Sequence, residues 1–334
     1  YSVLSVFGTR PEAIKMAPVV KALNRSPLIR SKVCVSAQHR EMLDQVLDLF
    51  SIKPNYDLNV MAHGQSLGQL TNQVINGLQP IIDKLQPDRV LVHGDTTTAF
   101  ASALTAFYNK IPVGHIEAGL RTQDMQSPYP EEMNRRLIDS LCDLHFAPTK
   151  IAADNLKREN IKNDNIKITG NTVIDSLFHI KKLLRTDTKW REKLNNEFSF
   201  LNHYQYLILF TGHRRENFGQ SFHNIFFSLK ELASRANLGI VYPVHLNPKV
   251  HEPAYEILSN CKNIHLIPPI GYGEFVYLME RAHFLISDSG GIQEEAPSLG
   301  KPVLVTRKTT ERPEALESGT IILVGAERDK LINE

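Results

Sequence analysis

Cysteine is scarce in this chain: three in 334 residues, at positions 34, 142 and 261, none within a C-x-x-C pair. So sparse a set supports neither a disulfide framework nor a zinc ribbon, and a reducing cytoplasm is the expected compartment. Excess charge of one sign is also missing. Lys and Arg number 38 against 36 Asp and Glu, a formal net charge of +2, and no basic run is interleaved with aromatics. Nucleic acid is therefore not an expected partner, and any anion site must be local. No apolar run approaches membrane-spanning length, and the chain enters a strand pattern at once without a basic, then apolar, leader. No membrane partner is expected, and no leader. The 13 histidines include no H-E-x-x-H or comparable ligand spacing, so no metal is expected. Neither G-x-G-x-x-G nor a P-loop is present, so neither of the common nucleotide fingerprints applies.

What remains is a chain with 42% hydrophobic and 22% charged residues, long enough for a large core and for two domains. Short apolar runs alternate with helical stretches. In the first half they are "SVLSVFG", "KVCVSA", "RVLVHGD", "VGHIEAG", "LHFAPT" and "IKITG"; in the second, "YLILFTGHRRENFG", "GIVYPVH", "NIHLIPP", "HFLISDSGG", "KPVLVT" and "TIILVG". The alternation predicts an α/β protein of two Rossmann-like, doubly wound parallel sheets. The polar stretch "LLRTDTKWREKLNNEFSFLNHYQ" separates them. The domains are expected at 1–175 and 176–334, with the switch within 170–205. In such folds ligands bind beyond the carboxyl ends of the strands, so two facing domains would line a cleft with the loops that follow their strands.

Those loops are rich in ionisable groups. "VFGTRPEAIKMAPVV" reads as strand, turn and helix, with Pro11 at the first helical position and Arg10 and Lys15 in the first turns. A helix N-terminus flanked by two cations suits a phosphate, although the same cations are also read as plain surface charges. Asp95 follows one strand and either caps the next helix or handles protons. Glu117 follows another strand and has no adjacent helix to cap. Glu131 lies where a helix begins after Pro130, suited either to its dipole or to catalysis. His213 and Arg214 follow "LFTG". His145 is assigned no role.

A second anion signal lies in "HFLISDSGGIQEEAPSLGKPVLVT", which places Ser289, Gly290 and Gly291 at a strand-to-helix turn. Absent side chains let backbone N–H groups approach a phosphate, and Glu295, farther along the helix, suits a ribose diol.

Together "FGTRPEAIKMAPV", "HGDTTT", "HIEAGLRT", "PEEMNRR", "GNTVID", "TGHRREN", "YPVHLNP", "SDSGGIQEEAPSLGKPVLV" and "TERPEA" resemble the non-hydrolysing UDP-N-acetylglucosamine 2-epimerases over residues 3 to about 325. The resemblance implies a GT-B-like pair of domains, a cytoplasmic homodimer, a UDP-N-acetylglucosamine/UDP-N-acetylmannosamine substrate pair and no cofactor. It implies that Arg10, Lys15 and His213 contact the diphosphate or sugar. Phe275 would pack on the uracil, Ser289, Gly290 and Gly291 meet the phosphates, Glu295 takes the ribose, and Arg312 lies nearby. Asp95, Glu117 and Glu131 match the acid/base carboxylates, with His213 beside them. A second nucleotide sugar, bound as activator, would meet Gln38, His39, Glu132, Arg214 and His245. Within that pattern Glu41 stands for a glutamine and Gly64 for an arginine, and "PIGYGEF" departs as well. The resemblance also implies a further helix beyond "KLINE". Three other readings stay open: a hydrolysing epimerase releasing N-acetylmannosamine, a glycosyltransferase of the same fold, and a non-catalytic nucleotide-sugar sensor.

Overall fold

The computed structural model describes the chain except Gln38, His39, Met61, His63, Glu311, Pro313, Glu314, Glu317 and Ser318. It packs as two compact units, Tyr1–Ser176 and Leu177–Glu334. The first holds strands β1 (Ser2–Phe7), β2 (Arg30–Val35), β3 (Tyr56–Asp57), β4 (Arg89–His93), β5 (Val113–Ile116), β6 (Leu144–Ala147) and β7 (Ile166–Ile168). All pair in parallel, in the order β3-β2-β1-β4-β5-β6-β7. Crossovers run through α1 (Arg10–Arg25), α2 (Arg40–Leu49), α3 (Leu67–Leu85), α4 (Thr97–Tyr108), α5 (Glu131–Leu141) and α6 (Lys150–Arg158), and α7 (Thr172–Thr186) carries the chain out.

Every residue of β1 is buried, as a strand covered on both faces requires. Leu4, Val6, Val90, Val92 and Val113 pack with Leu78 and Ile82 of α3 and with Ala99, Ala103 and Ala106 of α4. Sequence periodicity misses β3, because two residues paired through Cys34↔Tyr56 and Val35↔Asp57 leave no pattern to read. α1 begins at Arg10, one residue before the expected Pro11, because Thr9 and Glu12 form a capping box around its start.

The second unit repeats the plan. Strands β8 (Tyr206–Thr211), β9 (Leu238–Pro243), β10 (Ile264–Ile267), β11 (Phe284–Ser287), β12 (Val303–Val305) and β13 (Ile321–Leu323) lie parallel in the order β10-β9-β8-β11-β12-β13. Phe210, Phe222, Phe226 and Tyr242 fill the core, together with Ile208, Ile225 and Ile240. The helices are α8 (Thr188–Glu197), α9 (Gln220–Leu232), α10 (Pro248–Leu258), α11 (Tyr272–Arg281), α12 (Ile292–Ser298) and a last turn, Arg328–Asn333. In each sheet the order reverses once, between β1 and β4 and between β8 and β11. These two reversals are where ligands bind in open α/β sheets, and the four strands that flank them lead into the loops of Arg10, Asp95, His213 and Ser289.

Candidate active site

In the first unit the reversal is closed by Glu12, a residue the sequence reading did not single out. It is 2% exposed, and its Oε2 accepts the N–H groups of Gly8 (3.0 Å) and Thr9 (2.8 Å). Oε1 accepts the Thr96 hydroxyl at 2.7 Å, so α1 is tied to the loop after β4. Burial raises the proton affinity of this carboxyl above the ordinary glutamate value, and the hydrogen bonds only partly offset it.

Glu117 follows β5 directly with φ at +68°, a left-handed conformation that few non-glycine residues adopt. Its Oε2 pairs with the ammonium of Lys15 and accepts from Asn171 Nδ2 at 2.7 Å. Lys15 thus meets a carboxylate in this structure, which the sequence reading did not foresee. His93, the last residue of β4, faces the other oxygen, with Nε2 4.0 Å from Oε1. Burial drives the His93 pKa down to about 3, so the ring is neutral at ordinary pH.

Asp95 does not cap α4; that position belongs to Thr96, whose hydroxyl accepts from Ala99 N at 3.0 Å, one residue later than the capping alternative placed it. The Asp95 carboxylate pairs with Arg135 of α5, while its backbone carbonyl accepts from Asn134 Nδ2 at 2.9 Å. Glu131 is the first residue of α5, half-buried, and its side chain makes no hydrogen bond or ion pair among the described residues. The structure therefore joins Lys15 to Glu117 directly but gives Asp95 and Glu131 separate settings. Glu132 is fully buried: Oε2 accepts Thr122 N at 3.0 Å and Oε1 faces Arg136 Nε at 3.2 Å. Arg10 opens α1 and is half-buried.

Beneath these groups His115 lies between the Asp139 carboxylate (2.5 Å) and the Gly94 carbonyl (2.7 Å). Burial works against the charge on Asp139, but His115 and Arg121 outweigh it and hold the carboxyl below its ordinary range. Gly94 itself adopts φ +63°. His145, assigned no role, is a buried ring bonded to the Asp139 carbonyl at 2.9 Å.

At the second reversal a residue the sequence reading quoted but did not single out does the joining. Asp288, fully buried after β11, accepts the N–H groups of His213 and Arg214, both at 2.9 Å, and Asn217 Nδ2 at 3.1 Å. His213 Nδ1 lies 3.3 Å from its Oδ1, and the ring stacks on His245 with centroids 5.8 Å apart. Burial lowers the His213 pKa more than Asp288 raises it.

Ser289, Gly290 and Gly291 form the turn into α12. A Cβ on Gly290 would stand 2.8 Å from Arg312 Nη1, so the turn is packed as well as open-backed. Arg312 pairs with Glu294. Glu295, 7% exposed, accepts the Tyr272 hydroxyl at 2.6 Å. Phe275 is a half-buried residue of α11. Gln38 and His39 lie outside the described residues.

A family model described as UDP-N-acetylglucosamine 2-epimerase matches residues 21–334. A Salmonella typhimurium protein named UDP-N-acetylglucosamine 2-epimerase is 56% identical over 333 residues, 99% of this chain and 89% of its own length. An Escherichia coli protein of the same name is 55% identical with the same coverage. Among solved structures, a UDP-GlcNAc 2-epimerase from Neisseria meningitidis bound to UDP-GlcNAc superposes with a TM-score of 0.95 at 54% identity, covering 100% of this chain and 90% of that one. One from Methanocaldococcus jannaschii in complex with UDP-GlcNAc and UDP has a TM-score of 0.86 at 34% identity, covering 100% and 91%. The chain belongs to the UDP-N-acetylglucosamine 2-epimerase family.

Proposed function

We propose that this chain is an isomerase that interconverts UDP-N-acetylglucosamine and UDP-N-acetylmannosamine by eliminating and re-adding UDP, and that it works as a homodimer. One observation carries the reading: in a chain of this family, Glu117 directly follows a strand in a left-handed conformation, its carboxylate held by Lys15 and Asn171 beside the sheet reversal. A carboxylate fixed in this way is a positioned base.

The chemistry explains the need. The C2 hydrogen of the sugar is not acidic while C1 is an acetal carbon, so the C1–O bond to UDP breaks first or leads. Its electron pair leaves with the diphosphate, where Arg10, Lys15 and the N–H groups of the Ser289–Gly291 turn take up the growing negative charge. The oxocarbenium-like C1 makes the C2 proton removable. A carboxylate of the Asp95, Glu117 and Glu131 set takes that proton, and the C2–H electron pair forms the C1–C2 double bond of 2-acetamidoglucal. Protonation at C2 on the opposite face and return of the diphosphate oxygen to C1 give the epimer. Two faces need two proton-handling groups, each worth about 10²–10⁴-fold. His213 contacts the diphosphate, Glu295 the ribose and Phe275 the uracil, with Arg312 close by. A second nucleotide sugar engages Glu132, Arg214 and His245.

The test is product analysis of the purified protein with either UDP sugar. Approach to one equilibrium mixture from both directions is expected. Accumulation of free N-acetylmannosamine and UDP would assign the hydrolysing reaction instead, and binding without conversion would sink the isomerase.

A further inference from the structure

His93 stands out among the buried polar groups. Its side chain is 4% exposed, and neither ring nitrogen has a hydrogen-bond partner. An imidazole buried in this way forfeits its bonds to water, and native interiors rarely leave both nitrogens empty without a use for them. The ring sits at the end of β4, and the nearest carboxylate oxygen is Glu117 Oε1, 4.0 Å from Nε2. The charged and titratable groups acting on it are Glu117, Lys15 and His115.

From this geometry we infer that His93 is a positioning residue for Glu117, its Nε2–H held in reserve as a neutral donor to Oε1 when the diphosphate draws Lys15 away from Oε2. The inference rests on the reading of Glu117 as a base in the epimerase reaction. Lys15 serves both the carboxylate and the leaving group, so the arriving substrate competes for its ammonium. When Lys15 is drawn off, Asn171 keeps its bond to Oε2, and a donor on Oε1 fixes the plane of the carboxylate just when it must point at C2. Closing the 4.0 Å gap to hydrogen-bond distance asks the carboxylate to move by about 1 Å. A neutral donor orients the carboxylate without the stronger charge-assisted hold of an ammonium, so Glu117 stays basic.

Two amide variants separate positioning from mere packing. The amide of Gln reaches the place of Nε2, whereas the shorter Asn does not, and both are polar and smaller than the ring. For H93Q we expect at least a tenth of the wild-type kcat; for H93N, a loss of about 10²-fold, with KM for UDP-N-acetylglucosamine within threefold of wild type in both. The acid limb of the kcat profile should also move in H93N and stay in place in H93Q. Equal kcat values and superimposable profiles for the two variants, or a loss expressed in KM alone, would overturn the inference. A wild-type protein that does not epimerise would instead overturn the functional reading, and the two failures are thus told apart.

Discussion

The two sheet reversals share one topology and are closed by different groups. In the first unit the joining carboxylate, Glu12, comes from the helix after the first strand and reaches the loop after β4. In the second, Asp288 comes from the loop after β11 and reaches back to the N–H groups after β8. Glu12 takes up the donors around the first reversal, and under the proposed function Asp95, Glu117 and Glu131 are left to handle protons. With Asp288 taking up the N–H groups of residues 213 and 214, the second reversal offers a histidine and a glycine turn. A repeated fold thus supplies two anchoring carboxylates, and under the proposed function the proton-handling carboxylates all come from the first unit.

The sharpest break in that comparison is Glu117→Gln, expected to lower kcat by about 10³-fold while leaving UDP affinity within threefold; steady-state kinetics and calorimetric titration check it. A comparable loss of UDP affinity would erase the division between units. Next, Asp288→Ala strands three donors, that of Asn217 buried and those of His213 and Arg214 half-buried, and should cost about 3 kcal/mol of stability in urea unfolding, together with most UDP binding. Thr96→Val removes both the cap of α4 and the Glu12 bond, for about 1–2 kcal/mol. Gly290→Ala displaces only the flexible end of Arg312, so UDP affinity should fall about tenfold with stability nearly unchanged.

The smallest effect concerns pH. Glu12 binds its proton more tightly folded than unfolded, so the native state holds more protons and stability falls as pH rises above the ordinary glutamate value. Glu12→Gln should flatten that slope, seen as urea midpoints that draw together between pH 5 and pH 8.

Much of this was legible in the sequence. Buried parallel strands are continuous apolar runs, and the strand ends that carry Glu117, Asp95 and His213 follow from them. What stayed hidden depends on side-chain reach. Glu12 looks like helix-dipole complementation, His93 like strand filler, and Asp288 like a turn residue, because nothing along the chain tells which buried donors each will meet. Asn171 lies 54 residues from the glutamate it holds. The Asp95–Arg135 pair spans 40 residues and was equally unreadable.

The most direct measurement is proton NMR of the purified protein with UDP-N-acetylglucosamine in D₂O, following the C2 and anomeric signals. The account expects deuterium at C2 to appear together with UDP-N-acetylmannosamine, since elimination exposes C2 to solvent-derived protons before UDP returns. Epimerisation with the C2 protium fully retained, or nucleotide binding with no change at C2, would contradict it.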